Sequence, residues 1–194
     1  MKTGMVALAG AVALGASVMI LAVSVDTKWV GDNSGYKPVQ PIAYSHELHA
    51  GELKLDCLFC HTGAEKSRYA GIPPLSTCMK CHEAIQNRVG TKPGLSNPSP
   101  EIAKVARAWK EGRPIAWVRI HRLPDFVKFP HSRHVNAGVV CQTCHGEIQG
   151  MERVEQARAW TMGECLACHR AENQKMQMNG KLPAAPTDCT ACHH

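Results

Sequence analysis

Ten cysteines fall in five pairs, Cys57 and Cys60, Cys78 and Cys81, Cys141 and Cys144, Cys165 and Cys168, Cys189 and Cys192. Every pair is spaced Cys-x-x-Cys and is followed at once by a histidine: His61, His82, His145, His169 and His193. No cysteine is left over. A single Cys-x-x-Cys is compatible with half a zinc site or a thiol redox pair, and an even cysteine count with a disulfide framework. None of these explains the histidines. With 11 histidines in 194 residues, chance would place one after a given pair about one time in eighteen. Five successes in five have a probability of roughly one in two million. The repeated Cys-x-x-Cys-His run is the attachment signature of c-type haem, with two thioethers to the porphyrin and the adjacent imidazole on the iron. The expected cofactor is five covalently bound haem c groups.

Six histidines lie outside these runs: His46, His49, His121, His131, His134 and His194. Five irons need five distal ligands. His194 directly follows a proximal ligand at the chain end and is set aside, which leaves His46, His49, His121, His131 and His134. His121 stands without a partner histidine, and Met151 and Met162 compete for its role, since thioether sulfur also ligates haem iron. The favoured metal ligands are thus five proximal and five distal imidazoles. With every iron six-coordinate, none keeps a position for substrate, and catalytic residues are not expected.

The elements that position these groups are only partly regular. Tyr44, His46, His49 and Gly51 precede Cys57, and Phe129, His131, His134 and Gly138 precede Cys141. The shared phrase of an aromatic, His-x-x-His and a glycine is an internal repeat. Ser45 is suited to cap a helical turn and Gly51 to end it, which puts His46 and His49 on one turn. Residues three apart diverge by about 60° on a helix, so the two can serve different irons. The expected divisions are an anchor over 1–25, a tether over 26–41, a dihaem lobe over 42–89, a linker with a short helix over 90–113, and a trihaem lobe over 114–194. Glu101 to Trp109 has the helical period. The expected fold is mostly α and irregular, a transmembrane helix followed by a haem-packed domain with little regular secondary structure.

Gly4 to Val25 is uncharged and as a helix would be about 33 Å long, enough to span a bilayer. A cleaved signal peptide usually has an apolar stretch of only about 7–15 residues, so a retained anchor is favoured. Small residues at Ala7, Ala11 and Gly15 recur every fourth position and suit packing against another membrane helix. Haem attachment takes place outside the cytoplasm, which places the haem domain on the periplasmic side of the inner membrane. The remainder of the chain is poor in large apolar residues, with Trp 4, Tyr 3 and Phe 3 in the whole sequence. The formal charge of +6 would suit an anionic partner, but five haems bring about ten propionate charges. Nucleic-acid binding loses its support. About 165 exported residues have an overall radius of roughly 20 Å, so five haems there form a continuous chain of redox centres.

The order of features resembles the pentahaem cytochrome subunit of alternative complex III, a bacterial quinol-oxidising assembly. The matching stretches are Gln40 to Gly51, Gly71 to His82, Pro114 to Gly146 and Met151 to Arg170. The His-x-x-His phrase alone also resembles the small class III multihaem cytochromes. The resemblance implies electron transfer from an iron–sulfur subunit and polytopic quinol-binding membrane subunits to a monohaem cytochrome or an oxidase. A stand-alone membrane-anchored quinol dehydrogenase is the alternative, but 31 residues separate Val25 from Cys57, leaving the first haem loosely tied to the membrane. A nitrite or hydroxylamine reductase would need an iron with an open position. Replacing His46 with alanine should alter the spectrum and potential of one haem and leave the others largely unchanged; unaltered redox titration of every haem would refute its ligand role.

Overall fold

The computed structural model describes residues 33–87, 99–181 and 184–193. The anchor expected over 1–25, the start of the tether, residues 90–98 of the linker, and His194 lie outside them. All described residues belong to one compact unit. They are helical and irregular, with no strand among them, and no described helix is long and apolar enough to cross a membrane.

Helical turns coincide with the attachment motifs. Helix α1 is Cys57–Cys60, α2 is Leu75–His82, α3 is Pro100–Lys110, α4 is His131–Asn136, α5 is Gln142–His145 and α6 is Met162–Met178. A 3₁₀ turn, Cys189–Ala191, holds the last motif. The spacing i, i+3, i+4 puts both thiols and the following imidazole on one face of a turn. The turns are nucleated locally. Asp56 accepts a hydrogen bond from the Leu58 N–H (2.7 Å) at the start of α1. Asp188 accepts from the Ala191 N–H (3.1 Å) at the last motif. Thr161 and Glu164 form a reciprocal capping box at the start of α6, an arrangement that satisfies two otherwise orphaned donors.

The repeat has two different local solutions. Ser45 Oγ accepts from the Leu48 N–H (3.1 Å), as expected of a cap. The turn that follows is a widened π turn, Glu47–Glu52, closed by the Leu53 N–H to the Leu48 carbonyl (2.9 Å). Gly51 does not stop it. A Cβ at Gly51 would lie 2.4 Å from the Gln149 carbonyl oxygen, so glycine is required there for close backbone approach rather than for termination. Lys54 takes the left-handed conformation instead, at φ 55°. In the second copy, α4 gives way to Gly138 at φ 82°, where glycine carries no steric penalty.

Helix α3 extends one residue beyond the expected span at each end. It fixes the segment leading into the first motif: Glu101 accepts from the Ala43 N–H (2.7 Å), and Lys104 donates to the Pro41 carbonyl (3.3 Å). Between them Ile42 is 5% exposed, and Val105 on α3 is 8% exposed. Only Ala64 joins these two as a buried apolar residue among those described. Such a core cannot offset the conformational entropy of ordering the chain. Protein produced without haem attachment should therefore show no cooperative thermal transition by circular dichroism, whereas the haem-loaded protein should; a sharp transition in the haem-free chain would contradict this.

Candidate haem sites

The ten cysteines are unbridged. Burial pushes the thiols of Cys60, Cys78, Cys144 and Cys165 up from their ordinary range, so they are neutral at neutral pH. Among the described residues no three His, Cys, Asp or Glu side chains converge to hold a metal ion by protein ligands alone.

Most of the imidazoles bond backbone carbonyls. His61 Nδ1 lies 2.7 Å from the Gly71 carbonyl, His82 Nδ1 2.8 Å from that of Ile85, and His193 Nδ1 3.3 Å from that of Phe126. His169 Nδ1 bonds the Pro186 carbonyl. Outside the motifs, His49 Nδ1 reaches the Ser45 carbonyl (2.8 Å), His131 Nδ1 that of Arg68 (2.7 Å) and His134 Nδ1 that of Pro130 (3.0 Å). A carbonyl only accepts, so Nδ1 is the donor in each and carries the proton. The Nε2 lone pair is left for a metal, which is how such outer contacts fix the tautomer of ligating histidines. His46 Nδ1 and His121 Nε2 are buried without a partner. Burial, reinforced by neighbouring imidazoles, lowers His145 to about 3 and His46 to about 4. Burial also lowers His121 to about 4. All three are neutral, the form that ligates.

Ring separations carry the most information. An imidazole nitrogen sits ~2.0 Å from a first-row metal and its ring centre ~1.1 Å further out, so two imidazoles trans on one iron have centres ~6.2 Å apart. His49 and His82 are 6.1 Å apart, His131 and His145 6.3 Å, and His134 and His169 6.0 Å. The two histidines of the second repeat thus face different motifs, as their divergence on one turn requires. In the first repeat His49 faces the second motif, and the neighbour with the largest effect on His46 is His61 of the first. The repeat is geometric as well as sequential. Tyr44 stacks on His49 (4.4 Å) and meets His46 edge-on (4.9 Å). Phe129 stacks on His134 (4.3 Å) and meets His131 edge-on (4.9 Å).

His121 lies beside the third motif. Its ring stacks on Trp160 (5.0 Å) and meets His145 at 4.6 Å, too near for those two to be trans on one iron. Met162 is 66% exposed at the start of α6, while Met151 packs beside Gly146. Trp160, which also donates to the Cys144 carbonyl (3.3 Å), had no role from sequence reasoning. Its only signal was an aromatic residue in a chain with few.

A tetrapyrrole fits these positions. Six of the thirteen exposed large apolar side chains of the described residues lie at the motifs: Phe59 within the first, Val140 and Met162 just before the third and fourth, and Ile72, Ile85 and Phe126 at or beside carbonyls that hold proximal imidazoles. Large macrocycles with apolar faces would cover them. The motifs also adjoin in a definite order. Thiol neighbours link Cys60 to Cys78, Cys57 to Cys141, Cys144 to Cys168, and Cys165 to Cys192. The sequence of neighbours is second, first, third, fourth, fifth.

These features define a multihaem c-type cytochrome, a carrier of several covalently attached haems. Cytochrome c7 and related cytochromes c form the family that matches residues 127–194, the part holding the last three motifs. The chain is also 25% identical to the multihaem cytochrome c subunit of menaquinone reductase from Nitratidesulfovibrio vulgaris, covering 79% of this chain and 76% of that protein.

Exchanging a distal imidazole for a thioether raises a haem's potential. His49→Met should therefore raise the potential of the haem at Cys78 and Cys81 alone, measured by spectropotentiometry. A rise at the first motif's haem instead would break the ring pairing.

Proposed function

We propose that this chain is a membrane-anchored pentahaem electron carrier, serving a quinone-linked respiratory complex of the alternative complex III kind. The observation that carries this reading is the set of three imidazole pairs at 6.0–6.3 Å. Haem, when bound, supplies a one-electron iron couple. The chain's own residues attach it, orient it and close its coordination. The ten cysteines provide the thioethers. His61, His82, His145, His169 and His193 are the proximal ligands, and His46, His49, His131 and His134 pair with the first, second, third and fourth of these. His121 is the histidine left over for the fifth, but its ring lies against His145 and Trp160 beside the third motif and not opposite His193, so no distal ligand is assigned to the haem at Cys189 and Cys192.

The adjoining motifs arrange the centres in one row, from Cys78 at one end to Cys189 at the other. A row has two ports. On this reading one end receives electrons from an iron–sulfur subunit fed by polytopic quinol-oxidising subunits, and the other passes them to a monohaem cytochrome or an oxidase. The anchor over 1–25 holds the protein to the inner membrane with the haem domain outside the cytoplasm. Likeness to a menaquinone reductase subunit favours a second reading, in which the same row delivers electrons to quinone.

The test is purification in mild detergent followed by subunit identification and stopped-flow kinetics. Co-purification with iron–sulfur and polytopic subunits, and haem reduction by added quinol, would support the alternative complex III reading. Haem oxidation by added quinone, without reduction by quinol, would favour the reductase reading. A lone polypeptide that oxidises quinol unaided would overturn both in favour of a stand-alone dehydrogenase.

A further inference from the structure

Arg68 is out of balance with the rest of the polypeptide. Its Nε is buried and has no hydrogen-bond partner, the sole charged side chain among the described residues with such an atom. The ion pairs of the described residues use Lys37, Lys104, Arg113, Arg122, Arg158 and Lys175; none includes Arg68. Its guanidinium lies 4.9 Å from the centre of the Tyr69 ring, a contact that holds the plane without neutralising the charge. A buried donor left without an acceptor is unfavourable, and no described carboxylate pairs with this guanidinium.

The backbone around Arg68 is fixed firmly. Its carbonyl accepts from the His131 N–H (3.3 Å) as well as from His131 Nδ1 (2.7 Å), and the Ser67 carbonyl accepts from the Ser132 N–H (3.0 Å). The Glu65 carbonyl accepts from the Asn136 side chain (3.2 Å). The loop after the first motif is thereby docked along α4, whose His131 faces His145 of the third. Arg68 sits where the first and third motifs meet, and those are the motifs whose Cys57 and Cys141 thiols are neighbours.

We propose that Arg68 binds a haem propionate at this junction, its guanidinium supplying the planar fork that matches a carboxylate. The inference rests on haem occupying these motifs and adds to that reading a residue that sets the potential of one centre. A cation held at a propionate offsets negative charge near the iron and disfavours the ferric state. Its loss should lower that haem's midpoint.

The full-length protein, matured with haem, would carry Arg68→Gln or Arg68→Lys, with haem content measured by pyridine haemochrome and mass. Expected is an unchanged haem count in R68Q, with one midpoint moved down, four unmoved, and most of the shift recovered in R68K. Comparison with His131→Ala and His46→Ala identifies which haem moved, and so whether the propionate belongs to the third or the first motif. Midpoints equal to the parent's in both variants would overturn the proposal, as would a joint drift of all of them. Should R68Q fail to accumulate, R68K decides alone: a smaller downward shift of one haem supports the proposal, and none overturns it. A parent chain without haem would instead remove the functional reading beneath it.

Discussion

The constraint on which the rest depends is that the interior must come from covalently held macrocycles rather than from side chains. Three buried apolar residues cannot organise the described part of a 194-residue chain, and the attachment motifs explain why they need not. Each motif is a single helical turn, and an isolated turn is unstable because nucleation fixes several dihedrals for one hydrogen bond. A thioether at each end of the turn supplies what the missing bonds cannot. Regular structure is short for the same reason. Apart from α3 and α6, no described helix exceeds eight residues, and α1 and α5 are no longer than the spacing between thiols and imidazole. Phe59, Val140 and Ile72 stay exposed at or beside the motifs, where an apolar macrocycle would cover them.

A second consequence concerns the backbone. Seven imidazoles place Nδ1 on a carbonyl. Ser45 and Pro130 supply theirs from one turn upstream, at the same offset in both copies of the repeat. Gly71, Ile85, Pro186 and Phe126 supply theirs from irregular segments. Where a carbonyl is committed to an imidazole in this way, the loop that bears it is held by the ligand set. His131 shows the coupling most directly, since its tautomer is fixed by a loop 63 residues away that belongs to a different motif. Loops here are tied to the histidines through these hydrogen bonds.

How much of this could be read beforehand follows from how local each feature is. The attachment motifs, the Ser45 cap and the aromatic–His-x-x-His repeat are each contained within about a dozen residues, and all were legible. Gly51 was misread as a helix stop because its real constraint, the backbone of Gln149, is distant in sequence. The facing of His49 with His82 and of His134 with His169 was equally hidden, since spacing shows that two histidines diverge but not what each meets. Arg68 gave no signal at all. A lone arginine is ordinarily solvated, and the burial of its Nε shows only in the folded chain.

The row of motifs also bears on the direction of flow. On the proposed reading the chain's contribution is the order of its centres and the charge around each. Such a row conducts either way; the direction is set by the potentials of the groups attached at its two ends. Likeness to a menaquinone reductase subunit and resemblance to a quinol-oxidising assembly are therefore compatible as statements about this chain. They differ in what docks at the Cys78 and Cys189 ends. What the polypeptide controls is the profile between them, and fixed charges are its means of doing so. If Arg68 holds a propionate as proposed, it does so where the first and third motifs meet, in the middle of the order of neighbours, so it would act on a centre between the two ports.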